Sequence, residues 1–325
     1  MFVVEIILGA ILLSVGANFL TDGASAIAKR LKVSEYLIGA TIVAVGTSTP
    51  ELVVSVMSAI NGQSDVSIGN VVGSNIFNIY AILGVTAMVA PLALTRENLR
   101  RDIPLCLAST LLLCGLALDG TLWGGSRNIL SRWDGILLLV CYGAFLWYMI
   151  RNGRNENCAV AATVGGNAIP QSTEAVCSMP VAILKVAAGL AGLVWGSDLF
   201  LDGSIDLARR VGLSEAVIGI VLVAAGTSLP EFFATFISAL KGKTEIALGN
   251  ILGSNIANIL LILGTSATIT PLRLGGITAL DMAVMLSAVV AVLLTGFTFA
   301  RRKIDRIEGL IFFAIYVVYT LYLLR

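Results

Sequence analysis

Two carboxylates occupy positions where carboxylates are costly. Glu51 closes the hexapeptide Gly46-Thr47-Ser48-Thr49-Pro50-Glu51 inside an apolar run from Leu37 to Ile60, and Glu231 closes Gly226-Thr227-Ser228-Leu229-Pro230-Glu231 in a second such run. Each run is long enough to cross a bilayer, and a charge at its centre costs at least ~2.5–3.5 kcal/mol, which marks it for ion or proton handling. On a helix, Thr47 and Ser48 lie four and three residues before Glu51, so their hydroxyls share its face, and Thr227 and Ser228 stand in the same relation to Glu231. Pro50 and Pro230 lack an N–H and clash with the preceding turn. They free backbone oxygens, around Val45 to Thr47 in the first copy, where lipid offers them no donor.

A second pair of blocks supplies more oxygen. Gly69-Asn70-Val71-Val72-Gly73-Ser74-Asn75-Ile76-Phe77-Asn78 is answered by Gly249-Asn250-Ile251-Leu252-Gly253-Ser254-Asn255-Ile256-Ala257-Asn258. Ser74 with Asn78, and Ser254 with Asn258, are spaced to face one way on a helix. The glycines read as points of close helix approach. The hydroxyls and amides recur beside two carboxylates, which favours a ligand shell over isolated helix-to-helix hydrogen bonds. Two carboxylates, six hydroxyls (Thr47, Ser48, Thr227, Ser228, Ser74, Ser254), two amide carbonyls (Asn78, Asn258) and freed backbone carbonyls suit a hard cation. Calcium takes about 6–8 oxygens in flexible geometry, whereas magnesium holds its water and demands a rigid octahedron. The chain has no histidine and no cysteine cluster, which argues against zinc, copper and nickel.

The elements that position these residues are membrane helices. Of 325 residues, 57% are hydrophobic and 13% charged, far from the soluble norm of about a quarter charged. Runs of mostly apolar residues predict an all-α polytopic membrane protein with ten transmembrane helices, near 3–28, 35–60, 66–90, 102–119, 133–150, 179–206, 215–240, 246–270, 278–300 and 305–324. Residues 1–150 form a first five-helix repeat, 151–178 a polar cytoplasmic linker and 179–325 a second repeat. The copies stay in register at an offset of 180 from Gly16/Gly196 to Pro91/Pro271. Five crossings are an odd number, so the second copy enters from the opposite side. Such inverted repeats place a transport site at the midplane.

Lys and Arg on alternate loops divide fifteen to six, which places both termini on the extracytoplasmic side. Asp22, Asp202, Glu35 and Glu215 read as helix-end caps. A net charge of +1 with dispersed basic residues gives no case for nucleic acid. No nucleophile-elbow serine and no histidine point to an enzyme, and no cofactor is called for. Two carboxylates near each other carry about −2 when empty, a charge costly to move through low dielectric. One divalent ion or two to three monovalent ions cancel it, so a site that reorients only when filled performs obligatory exchange. A passive cation channel would use the same carboxylates without a counter-ion.

The Gly-Thr-Ser-x-Pro-Glu pair at 46–51 and 226–231, with Gly-Ser-Asn-Ile-x-Asn at 73–78 and 253–258, resembles the two α-repeats of the cation/calcium antiporters. The compact prokaryotic sodium/calcium exchangers are the nearest type. That resemblance implies Ca2+/Na+ antiport across the inner (plasma) membrane, with H+/Ca2+ antiport as the alternative. It implies Glu51 and Glu231 as central calcium ligands aided by Thr47 and Thr227. Sodium would use Ser48, Ser228, Ser74, Ser254 and the backbone carbonyls of Ala44 and Ala224. The first and sixth helices would slide as a pair against the other eight. Where some members carry an acidic residue this chain has Asn258, which implies independence of potassium and, with Asn78, sodium rather than protons as the driver.

Overall fold

The computed structural model describes residues 2–119, 128–163, 177–210, 226–298 and 302–324, with only the backbone over 153–163. The helices are α1 (Phe2–Leu31), α2 (Glu35–Thr47), α3 (Thr49–Ile60), α4 (Ser64–Val89), α5 (Ile103–Ala117), α6 (Arg132–Thr163), α7 (Met179–Arg210), α8 (Leu229–Leu240), α9 (Thr244–Ile269), α10 (Ala279–Thr295) and α11 (Arg306–Leu323). Among the described residues, six of these are long and apolar enough to cross a membrane, and α2 with α3 makes a seventh as one bent span. Residues 211–225, predicted to begin the seventh span, lie outside the described residues, so ten crossings are not counted here.

Helix α6 runs beyond residue 150, where the linker was expected to begin, as far as Thr163. Asp22 is not a helix-end cap, because α1 continues to Leu31. It pairs instead with Lys241 at 2.7 Å. Glu35 opens α2 behind the N-cap serine Ser34 and also meets Ser25 and Lys243. Glu215 lies outside the described residues.

Two helices form the centre. Along α4 and α9 most side chains are buried, including Ile68, Val72, Ile76, Leu248, Leu252 and Ile256. By contrast α1 presents Val4, Ile7, Ile11, Val15 and Phe19 outward, as a helix does when its solvent is lipid. Helices α1 and α7 cross at paired glycines. A Cβ on Gly9 would stand 2.8 Å from the Gly196 carbonyl oxygen, and one on Gly189 would stand 2.8 Å from that of Gly16. Both pairs obey one rule, since 189 is 9 + 180 and 196 is 16 + 180.

The same exchange of halves organises two short ribbons. Strand β1 (Leu92–Ala93) pairs antiparallel with β4 (Lys303–Ile304), and β2 (Ile129–Leu130) pairs with β3 (Leu272–Arg273). Leu92 and Leu272, at the repeat offset, are each clasped by the other half. Such reciprocity is what a two-fold relation requires.

Candidate functional site

The bend between α2 and α3 is where the sequence breaks its own helix. Ser48 leaves helical geometry at φ −79°, ψ 10°, Pro50 lies in the first turn of α3, and the two helix segments meet at 48°. Ser228 repeats the break at φ −92°, ψ 9°, with Pro230 in the first turn of α8. A proline in a first turn loses nothing, because that N–H has no intrahelical partner in any case. The carbonyls upstream are retaken by hydroxyls. Thr49 donates to the Val45 carbonyl at 3.1 Å, and Ser197 of α7 donates to the Gly226 carbonyl, four residues before Pro230, at 2.8 Å. The expectation that proline frees backbone oxygen therefore holds, and much of what it frees is answered by protein.

The breaks bring both glutamates to one place. Glu51 and Glu231 are each only 1% exposed. Ser48 donates to Glu231 Oε1 at 2.7 Å, and Ser228 donates to Glu51 Oε1 at 2.9 Å, so each carboxylate is held by the other repeat's hexapeptide. Ser74 of α4 joins them, 3.2 Å from the Ser228 hydroxyl. Thr47 is fully buried, with the Val43 carbonyl and Asn250 Oδ1 at 3.1 Å and the Ala44 carbonyl at 3.3 Å. Its single proton is taken by acceptors, which leaves its oxygen lone pairs for a cation. Ser254 lies 3.5 Å from the Ala44 carbonyl. Thr227 lines, with Ser74 and Asn70, a cavity of about 500 Å³ beside α4. Ala224 lies outside the described residues.

Asn78 and Asn258 are buried and face each other's helices. Asn78 donates to Asn255 Oδ1 and Asn258 to Asn75 Oδ1, both at 3.0 Å. In α4 and α9 the backbone loosens into wider π-type turns over Phe77–Leu83 and Asn258–Leu263, a distortion frequent at functional sites.

Four further amides belong to this constellation and escaped the sequence reading. Asn70 donates to the Glu51 carbonyl at 3.2 Å and Ser55 at 2.9 Å, and Asn250 donates to the Glu231 carbonyl at 3.3 Å and Thr235 at 2.9 Å. Asn75 and Asn255 are the partners just named. All four recur between the repeats, and that recurrence was the available signal.

The electrostatics are one-sided. Ion pairs join Arg101 to Asp102, Lys241 to Asp22 and Lys243 to Glu35, none of them at Glu51 or Glu231. Glu51 Oε2, Glu231 Oε2, Asn78 Oδ1 and Asn258 Oδ1 are all buried acceptors without a donor. A buried acceptor left unpaired costs about 1–3 kcal/mol, more when charged. What four such oxygens lack in common is positive charge, and an oxygen-binding cation supplies it. No group of three or more His, Cys, Asp or Glu exists among the described residues, so the site's formal charge rests on two glutamates.

Comparison with known proteins agrees with this chemistry. The family model described as sodium/calcium exchanger protein matches residues 1–151 and 181–325, omitting only the segment between the halves. The sodium/calcium exchanger MaX1 of Methanosarcina acetivorans is 33% identical, the match covering 97% of this chain and 96% of MaX1. CaxA of Alkalimonas amylolytica is 36% identical, over 97% of this chain and 96% of CaxA. Among solved structures, the sodium-calcium exchanger NCX_Mj soaked with zero Na+ and Ca2+ superposes with a TM-score of 0.81 at 30% identity, covering 100% of this chain and 99% of that one. A match over nearly the whole length, through both hexapeptides, decides kinship: the chain belongs to the sodium/calcium exchanger protein family.

Proposed function

We propose that this protein is a secondary active antiporter that exchanges Ca2+ for Na+ across a membrane by alternating access. One observation carries the reading: two buried glutamates, one from each repeat, are cross-held by serines, and the second oxygen of each has no hydrogen-bond partner among the described residues. Calcium entering this site meets two carboxylates and a surplus of neutral oxygens, which is the ligand class it prefers. Sodium ions entering in its place offer the same charge in smaller units. The empty site carries the charge of two glutamates that low dielectric penalises, so reorientation is favoured only when ions fill it. If three sodium ions replace one calcium, one charge moves per cycle, worth ~2.3 kcal/mol per 100 mV.

Within this reading Glu51, Glu231, Thr47 and Thr227 hold calcium. Ser48, Ser228, Ser74, Ser254, Asn78, Asn258 and the carbonyls of Ala44 and Ala224 serve sodium or complete the shell. The helices form two inverted five-helix repeats, residues 1–150 and 179–325, joined by a cytoplasmic connection. Helices α1 and α7, crossing on bare glycine backbone, move as one body against the rest. The protein resides in the plasma membrane with both termini outside, as the Lys and Arg distribution indicates.

The deciding measurement is calcium uptake into proteoliposomes under an imposed sodium gradient and, separately, under a pH gradient. Uptake driven by the sodium gradient and enhanced by a potential of the right sign is the expected result. Uptake that ignores sodium and follows pH would assign the protein to proton-driven calcium antiport, and flux with no counter-ion would make it a channel.

A further inference from the structure

A carboxamide is nearly symmetric in shape and opposite in chemistry at its two ends. Rotation by half a turn exchanges an acceptor oxygen for an NH2 that carries two donors. At a cation site that rotation changes attraction to repulsion, so something must hold Asn78 and Asn258 oxygen-first. We infer that Asn75 and Asn255 are positioning residues that fix the amide orientation of Asn258 and Asn78, so that each presents its oxygen to the transported ion.

The hydrogen bonds run in a consistent direction. Asn78 Nδ2 is occupied by Asn255 Oδ1 and Asn258 Nδ2 by Asn75 Oδ1, at 3.0 Å each, while both Oδ1 atoms of Asn78 and Asn258 stay unpaired. Asn75 is itself oriented, because its NH2 donates to the Asn255 backbone carbonyl at 3.3 Å and approaches the Met285 sulfur at 3.8 Å. A backbone carbonyl cannot turn, so the order passes from it through Asn75 to Asn258. A flipped Asn258 would set oxygen against oxygen at Asn75. All four side chains are at most 2% exposed, so water is not at hand to relieve the mismatch. The two halves differ in one respect. The Asn255 NH2 has no partner, so Asn78 is oriented by a single bond, whereas Asn258 rests on a fixed chain.

This inference rests on the exchange reading above, and its test separates the two. Half-saturating calcium is measured in proteoliposomes and, independently of transport, from the calcium-induced rise in melting temperature in detergent. The variants are Asn255→Leu, Asn78→Ala, the double variant and Asn255→Asp. Asn255→Leu removes the orienting acceptor and is expected to raise half-saturating calcium about tenfold, as loss of an outer-shell partner does. Asn78→Ala removes the amide that is oriented, so adding Asn255→Leu to it should change nothing beyond about twofold. Asn255→Asp retains the acceptor, so its half-saturating calcium should not rise as that of Asn255→Leu does. Multiplicative losses in the double variant, or Asn255→Leu equal to wild type, overturn the assignment. If Asn255→Leu does not fold, the cycle of Asn75→Leu with Asn258→Ala asks the same question in the other half. Absence of sodium-dependent flux in the wild type would sink the exchange reading while the calcium-dependent melting series still decides the orientation.

Discussion

Ser48 reaches across the repeat boundary to hold Glu231 at 2.7 Å, and the mirror contact between Ser228 and Glu51 closes at 2.9 Å. The positions are linked by one offset, 48 + 180 = 228 and 51 + 180 = 231. Neither hexapeptide completes a site alone. A motion that separates the two halves here breaks both contacts together, which ties ion binding to the relative position of the repeats.

Replacing either glutamate by glutamine keeps size and one acceptor oxygen, turns the other oxygen into a donor NH2 and removes half of the site's formal charge. Glu51→Gln or Glu231→Gln should abolish sodium-dependent calcium uptake while the protein still elutes as a folded, monodisperse species. Calcium uptake surviving in either variant would remove that residue from the site.

The crossed serines are worth less and in equal measure. A hydrogen bond to a charged group contributes about 1.5–3 kcal/mol, so Ser48→Ala and Ser228→Ala should each weaken apparent ion affinity by roughly tenfold or more. Because Ser48 acts on Glu231, Ser48→Ala should change the melting temperature of the ion-free protein far less once Glu231→Ala has removed the acceptor. Additive losses in that double variant would show that Ser48 acts elsewhere.

Much of this was legible before any coordinates. Glu51 and Glu231 announced themselves because an apolar run gives a carboxylate no bland role, and duplication at constant offset removed the chance of coincidence. Six helices and the bent pair α2 with α3 have the apolar length that a bilayer demands, each overlapping a predicted span. The hidden part was pairing. Periodicity places Ser48 on the face of Glu51, yet its proton goes to Glu231, because the proline break turns that face toward the other repeat. Asn70, Asn75, Asn250 and Asn255 were visible as repeated letters, but an asparagine's partner is set by which helix crosses it. Helix ends were also hard to read: Asp22 resembles a cap only if α1 stops early, and it does not.

Gly253 of α9 packs directly on the backbone of α2. A Cβ on Gly253 would meet the Ala40 Cα at 2.5 Å and its carbonyl oxygen at 2.6 Å. Backbone cannot rotate aside as a side chain can. Gly253→Ala should therefore lose roughly 1–3 kcal/mol of stability through overpacking. Thermal unfolding in detergent reads it; a melting temperature equal to that of the wild type would mean that α9 can shift away from α2 at no cost.

A charged seam beside the C-terminal part of α1 distinguishes the two halves. Lys241 pairs with Asp22 at 2.7 Å and also reaches the Asn18 carbonyl, while Lys243 pairs with Glu35 at 3.1 Å. Between them Thr21 and Ser238 touch at 2.9 Å, closing α1 against the end of α8. The positions 180 residues earlier are Asn61 and Gln63, which carry no charge, so the opposite end has no counterpart of these lysines. Partly exposed pairs contribute about 0–1 kcal/mol each, and two of them shift a balance between facing states by a fewfold. Lys241→Asn with Lys243→Gln makes the ends alike. In a background whose native cysteines are serine, a cysteine at position 238 should then be labelled severalfold faster by a polar thiol reagent, and high salt should produce part of the same acceleration without the substitutions. Labelling that responds to neither change would show that the seam is held by the Thr21–Ser238 contact and its apolar neighbours alone.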